Sequence, residues 1–269
     1  METSQNLAAQ MAEKGDEELL AMLAKQDDWS PLAIDAARAE LDKRNVDVTQ
    51  SIRPAIHTTT NYVFRDLSGL TKFLKVLLIL GAIVGAIAVL SGLMQVALLG
   101  HSYTQAEGSS NDTREEAVAL VQVALYLFTV VIFGRWIFRA NRNVRALGAN
   151  DLTETPGWAV GYFFVPIVCL WKPYQAMKEL WRASQNPSAW RNMPASQILP
   201  GWWTLWIVSN LLTRASASEM GKAHTVFELQ AATYAQILSD TVDVGLCAIA
   251  LILVSQIYSA QTKAVAQSV

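Results

Sequence analysis

Two stretches without a single charged side chain, residues 76–94 and 117–134, constrain this chain more than anything else in it. They hold nineteen and eighteen residues, close to the ~20 that a helix needs to cross the hydrocarbon core of a bilayer. Both therefore read as membrane spans. Composition points the same way, with hydrophobic residues at 52% and charged residues at 16%, against about 25% charged in soluble domains.

The net charge of −2 conceals an uneven distribution, because residues 1–53 carry eleven Asp or Glu against six Lys or Arg. No short basic start followed by an apolar stretch opens the chain, so the first span is expected to act as its own signal. Residues 15–46 predict two short helices, with Ser30 as N-cap, Pro31 at the first helical position and a turn at Asp28 and Trp29. Helical spacing sets Leu19, Leu20 and Leu23 against Ile34, Ala37 and Leu41. The expectation is an acidic cytoplasmic hairpin over residues 1–50, serving either as a tether or as a docking module, and a linker over 51–70.

The membrane domain is expected over 71–262, with spans at about 73–99, 117–138, 199–217 and 240–260. In the first span Gly81, Gly85, Ala88 and Gly92 fall on one face, the small-residue pattern that lets helices approach closely. That face predicts packing on the second span, with a homodimer through Gly81 and Gly85 as the alternative. Orientation follows from basic residues: the connection 100–116 carries only Arg114, whereas 135–191 carries eight Lys or Arg. The second region is therefore expected in the cytoplasm, as are both termini.

Arg135, Arg139, Arg142 and Arg145 recur every three or four residues, so they line one broad face of a helix that continues past the membrane. Together with Asn141 and Asn143 they are candidates for binding anionic phospholipid headgroups, an anionic ligand, or the acidic hairpin. Gly148 ends that helix. Residues 158–171 are apolar but short and broken by Pro166, which lacks a backbone donor, so a re-entrant or interfacial segment fits better than a span. An amphipathic helix follows, with Tyr174, Met177 and Trp181 on one face and Glu179 free to pair with the arginines. Pro166, Trp171, Tyr174, Glu179 and Trp181 make up the candidate site of this broken segment.

The strings RANRNVRALG, FFVPIVCLWKPYQAMKELW and LPGWW at 199–203 resemble a family of multi-pass bacterial membrane proteins known only as a domain of unknown function. The resemblance covers roughly 73–258. It implies a helical membrane bundle and a bacterial inner-membrane location, and it carries no reaction or catalytic residue.

Further along, Asp240 and Asp243 are placed at the outer entrance of the last span, after outward-projecting helices at 220–238, where acids favour the positive helix end. If Asp243 lies deeper it needs a partner, and Arg214 is the candidate. Cys169 and Cys247 lack any metal or disulfide spacing, and His224 stands apart from other ligands. GxSxG, HExxH and paired intramembrane aspartates are missing, and Ser209 with Asn210 has no base, so an intramembrane hydrolase is disfavoured. Nucleic-acid binding is disfavoured too, since the basic residues hug the spans.

The sequence thus predicts an all-α, four-span transmembrane bundle with a re-entrant or interfacial segment at 158–184 and a small N-terminal helical hairpin. It predicts no cofactor and no enzyme. A noncatalytic scaffold or assembly protein is the first functional expectation, with partners bound through the hairpin. A small-solute or ion transporter or channel using 158–171 is the alternative.

Overall fold

The structure is a computed structural model, and it describes residues 2–24, 29–46 and 62–268. The chain divides into two compact units, residues 1–61 and 62–269. The predicted turn at Asp28 and most of the predicted linker lie outside the described residues.

Among its described residues the first unit contains three helices where the sequence predicts two: α1 (Glu2–Ala12), α2 (Asp16–Ala24) and α3 (Pro31–Lys43). The predicted face forms, with Leu19, Leu23, Ile34, Ala37 and Leu41 buried, and Met11 of α1 completes its core. Ser30 caps α3 by accepting from the Ala33 N–H at 3.3 Å. Arg44 then fastens the unit. Its guanidinium donates to the carbonyls of Ala12 and Lys14 at 2.8 and 2.9 Å and to Asp16 and Glu40 at 2.8 and 2.9 Å. The end of α1 thereby gains donors for carbonyls that a helix terminus leaves open.

In the second unit, α4 (Ser68–Leu99), α5 (Gln105–Ala146) and α9, which starts at Val226 and ends at Ser268, are long and apolar enough to cross a membrane. This unit is an all-α membrane bundle. Between them lie a single turn α6 (Trp158–Gly161), α7 (Lys172–Gln185) and α8 (Ile198–Lys222). The predicted polar connection after the first span is mostly helix, because Thr104 and Glu107 form a capping box that starts α5 early. At 42 and 43 residues, α5 and α9 are each roughly 63 Å long. That is about twice the hydrocarbon thickness, so both extend well past it.

The predicted helices at 220–238 do not stand apart from the last span. No breaker falls between Leu238 and Thr241, and the chain turns at 223–225 instead. Glu228 there accepts from the N–H groups of His224 and Thr225 at 2.8 and 3.0 Å.

Side-chain pairs fix the register. Trp136 donates its indole N–H to Thr71 at 3.0 Å and Arg114 donates to Ser91 at 2.9 Å, so α4 and α5 run antiparallel. Thr213 lies 3.1 Å from Ser239 and Ser209 donates to Asp243 at 2.5 Å, so α8 and α9 do too. The glycine face of α4 meets α9 rather than the predicted second span. Gly81 faces Cys247, Gly85 faces Val244 and Gly92 faces Ile237, while Gln95 donates to Thr233 at 3.0 Å. The reason is geometric: the face that carries Gly85 and Gly92 is turned to α9, while the pairs that join α5 to α4 are Trp136 with Thr71 and Arg114 with Ser91.

A Cβ placed on Gly92 would stand 2.7 Å from Ile237 Cγ1, whereas one on Gly69 meets nothing within 4 Å. Overpacking of this kind costs about 1–3 kcal/mol. Gly92→Leu is expected to lower the unfolding midpoint of the detergent-solubilised protein accordingly, with Gly69→Ala unchanged; equal midpoints for the two variants would contradict this packing.

Candidate functional site

The most elaborately bonded region lies at the basic end of the bundle, where α5 runs on past Gly134. Buried apolar side chains at helical intervals, Trp136, Ile137, Ala140 and Val144, turn one face of this extension inward. Against it packs α7, whose residues Ala176, Met177, Leu180 and Ala183 are buried at spacings of one, three and three. Gln261 of α9 joins the two, donating to Ala140 O and to Ser184 Oγ, each at 3.1 Å. The apolar stripe of the amphipathic helix is thus spent on protein, not on lipid.

The arginine ladder does not act as one surface. Arg145 donates to Asn141 at 3.2 Å and to the Glu154 carbonyl, and its guanidinium lies 5.7 Å from the Tyr62 ring centre. Arg142 lies 5.6 Å from the same ring and 5.8 Å from Phe138, so one aromatic ring sits beside two cations. Asn143 clamps the backbone of Arg65, accepting from its N–H at 3.1 Å and donating to its carbonyl at 2.9 Å. Of the ladder, Arg135 is exposed and Arg139 is half-buried. The Arg139 Nε is buried with no partner among the described residues.

From this end the chain dips and returns. Val160 packs on the bare backbone of Gly134, 3.2 Å from where a Cβ would stand. Gly134 lies eleven residues before Arg145, about three turns or 16 Å along α5. Phe163 reaches further across, with its ring 5.9 Å from Trp206 and 6.4 Å from Trp203, both edge-on. The Trp203 indole N–H then donates to Leu170 O at 3.1 Å, and Tyr174 lies 6.4 Å from Trp203. The tryptophans of LPGWW and Trp206 thus form the wall against which the segment lies.

Pro166 forbids continuous helix, and the tip is a γ-turn of the rare, strained hand. Ile167 has φ +67° and Val168 N–H donates to Pro166 O at 2.7 Å, a conformation costly for a β-branched residue. Trp158, Phe164, Ile167, Leu170 and Trp171 are all exposed, Ile167 to 71%. Five large apolar side chains are directed away from the protein. They suit a lipid environment.

Both ends of the segment meet at a clasp that the sequence reading missed. Glu154 is buried and accepts from Lys172 Nζ and from the Tyr162 hydroxyl, each at 2.5 Å. Burial pushes its carboxyl up, but the hydrogen bonds from Lys172 and Tyr162 outweigh that and hold it below the usual carboxylate range. The signal was present as an acid and a base flanking an uncharged run. Glu179 meanwhile caps the turn before the clasp, accepting from the N–H and hydroxyl of Thr153 rather than from the ladder. Trp181 is half-buried, with its Nε1 lacking a partner among the described residues. Pro166 therefore belongs to the tip, Trp171 adjoins Lys172 of the clasp, and Tyr174 and Glu179 belong to the neck.

The predicted Arg214–Asp243 pair does not form. The register that sets Ser209 against Asp243 leaves Arg214 five residues beyond Ser209, about 7 Å along α8, and Arg214 is exposed. Asp240 and Asp243 lie well inside α9 instead of at its start, so they do not cap it. Asp240 is buried and accepts from Gln122 at 2.9 Å and Gln236 at 3.3 Å. Cys169 and Cys247 are free thiols. No group of three metal-ligating side chains occurs among the described residues.

Because folding lowers the Glu154 titration, the clasp is fully present above the ordinary carboxylate range and is lost as pH falls through the lowered folded value. Cys169 inside the segment reports on it. In a Cys247→Ser background, Glu154→Gln is expected to raise the maleimide labelling rate of Cys169 several-fold at neutral pH. The ratio to the Cys247→Ser parent at the same pH should approach one in acid; a ratio of one at every pH would refute the clasp.

Comparison with known proteins adds a family and no activity. No curated protein matches the chain, and no solved structure does. A family model described as Domain of unknown function (DUF4328) matches residues 100–259, from just after α4 through most of α9 and including the whole clasped segment. The chain belongs to the DUF4328 family.

Proposed function

We propose that this membrane protein is a noncatalytic scaffold or assembly factor of the bacterial inner membrane, with its basic end and both termini in the cytoplasm. One observation carries the reading: the basic end is built as a packed cap. The extension of α5, the buried face of α7, the end of α9 and the clasped segment share one core in which Trp136, Met177, Leu180 and Ile257 are inaccessible. So much ordered structure outside the apolar runs serves to present a surface. The cap exposes Gln175, Arg191 and Lys263 around its outside, and the basic excess of 135–191 favours the cytoplasmic side. The acidic N-terminal unit, with Trp29 and Leu32 exposed, is a second surface for a protein partner.

Photo-crosslinkers at Gln175, Arg191 and Leu32 in native membranes test this. A single protein recovered repeatedly from these positions is the expected result; capture of lipid alone would sink the proposal.

Transport is the second reading, and it rests on the buried Asp240 and the nearby Asp243, which have amide and hydroxyl partners but no cation among the described residues. Intramembrane carboxylates commonly mark ion pathways. On that reading Asp243→Asn abolishes cation or proton flux into liposomes while membrane insertion is unchanged. Flux that is absent from the unsubstituted chain, or equal in both, removes it.

A further inference from the structure

At the end of the bundle opposite the cap, α4 and α5 leave a cleft of about 410 Å³ lined by Met94, Leu98, His101, Glu107, Ser110 and Arg114. Its position is set by register. Arg114 lies three residues before the uncharged run that starts at Ala117, about 4.5 Å along the helix, which is headgroup level. By the register that joins Arg114 to Ser91 and Asn111 to Gln95, Met94, 53% exposed, stands level with Asn111 and Leu98 level with Glu107, so both line the cleft beside its polar wall, and the hydrocarbon begins beyond Arg114.

The polar wall carries both signs of charge. Glu107, Ser110 and Arg114 fall at spacings of three and four, one face of α5. The capping box uses only Oε2 of Glu107, which accepts from Thr104 N and Oγ1 at 2.7 and 2.9 Å. Oε1 is left without a partner among the described residues. Arg114 spends Nε and one Nη on Ser91, Asn111 and Glu115, so its other Nη is likewise unused among the described residues. The His101 Nδ1 lies 2.7 Å from Ala97 O, an acceptor, so the neutral ring holds its proton there and Nε2 is an acceptor.

Two acceptors, one of them anionic, thus stand near the loop, and a guanidinium with a hydroxyl stands nearer the membrane. We propose that this cleft binds the headgroup of a phosphoethanolamine phospholipid, the ammonium accepted by Glu107 and His101 and the phosphate bound by Arg114 and Ser110. A quaternary ammonium has no N–H to donate, and an anionic headgroup leaves the Glu107 charge opposed. The cleft therefore discriminates against both classes.

The test is native mass spectrometry of the delipidated full chain, offered equal amounts of phosphatidylethanolamine, phosphatidylcholine and phosphatidylglycerol. Phosphatidylethanolamine adducts are expected several-fold above either competitor. Glu107→Gln keeps the capping box, since Gln serves in that position, and should bring the preference to parity without lowering the melting temperature. Ser110→Phe, which fills the cleft, should do the same. Equal adducts of all three lipids on the unsubstituted chain, or a preference that survives both variants, overturns the proposal. Displacement of the lipid by an equal concentration of soluble phosphoethanolamine also overturns it, by assigning the cleft to a free small molecule.

Discussion

Helices surrounded by lipid gain little by burying apolar faces on one another, because the solvent is as apolar as the side chains. Close contact and polar pairing must hold them instead, and in this bundle both converge on α9. Its partner α4 brings a row of glycines within reach of Ile237, Val244 and Cys247. Thr233, Ser239, Asp240 and Asp243 meet Gln95, Thr213, Gln122 and Ser209 on the three other long helices. The arrangement makes the final helix the axis around which the other long helices stand.

That dependence explains which parts of the molecule were legible in the sequence. The two uncharged runs, the glycine row, the stop at Gly148 and the face of α7 all announce themselves through spacing along one helix. The partner of the glycine row did not, because spacing gives a face and no neighbour. Likewise Asp243 reads as a cap only when a span is set to begin near residue 240, and α9 begins at Val226. The actual start is marked by Thr225 and Glu228, a weaker signal that competes with apolar residues on both sides. Arg214 failed as a partner for a similar reason, since antiparallel register is decided by all the pairs between two helices together.

The candidate site was half legible. Pro166 and the shortness of its apolar run identified a segment that cannot cross as helix. What holds it was hidden, because Glu154 and Lys172 are eighteen residues apart with no period connecting them. The arginines misled in the opposite direction. Four cations on one face suggest a single surface, yet Tyr62, Phe138, Asn141 and the Glu154 carbonyl occupy Arg142 and Arg145. They work mostly inward, fastening the cap, and only Arg135 remains exposed.

The central place of α9 also bears on how the molecule is made. Ribosomes release α4, α5 and α8 first, so the glycine row and the polar groups that α9 will meet spend the early part of synthesis without their partner. Insertion of those helices and their assembly into a bundle are therefore separate events in time. Until α9 arrives, Gly81, Gly85 and Gly92 present an open small-residue face to whatever membrane helix is nearby. During that interval the small-residue face is open to wrong pairing with any helix that can approach it closely.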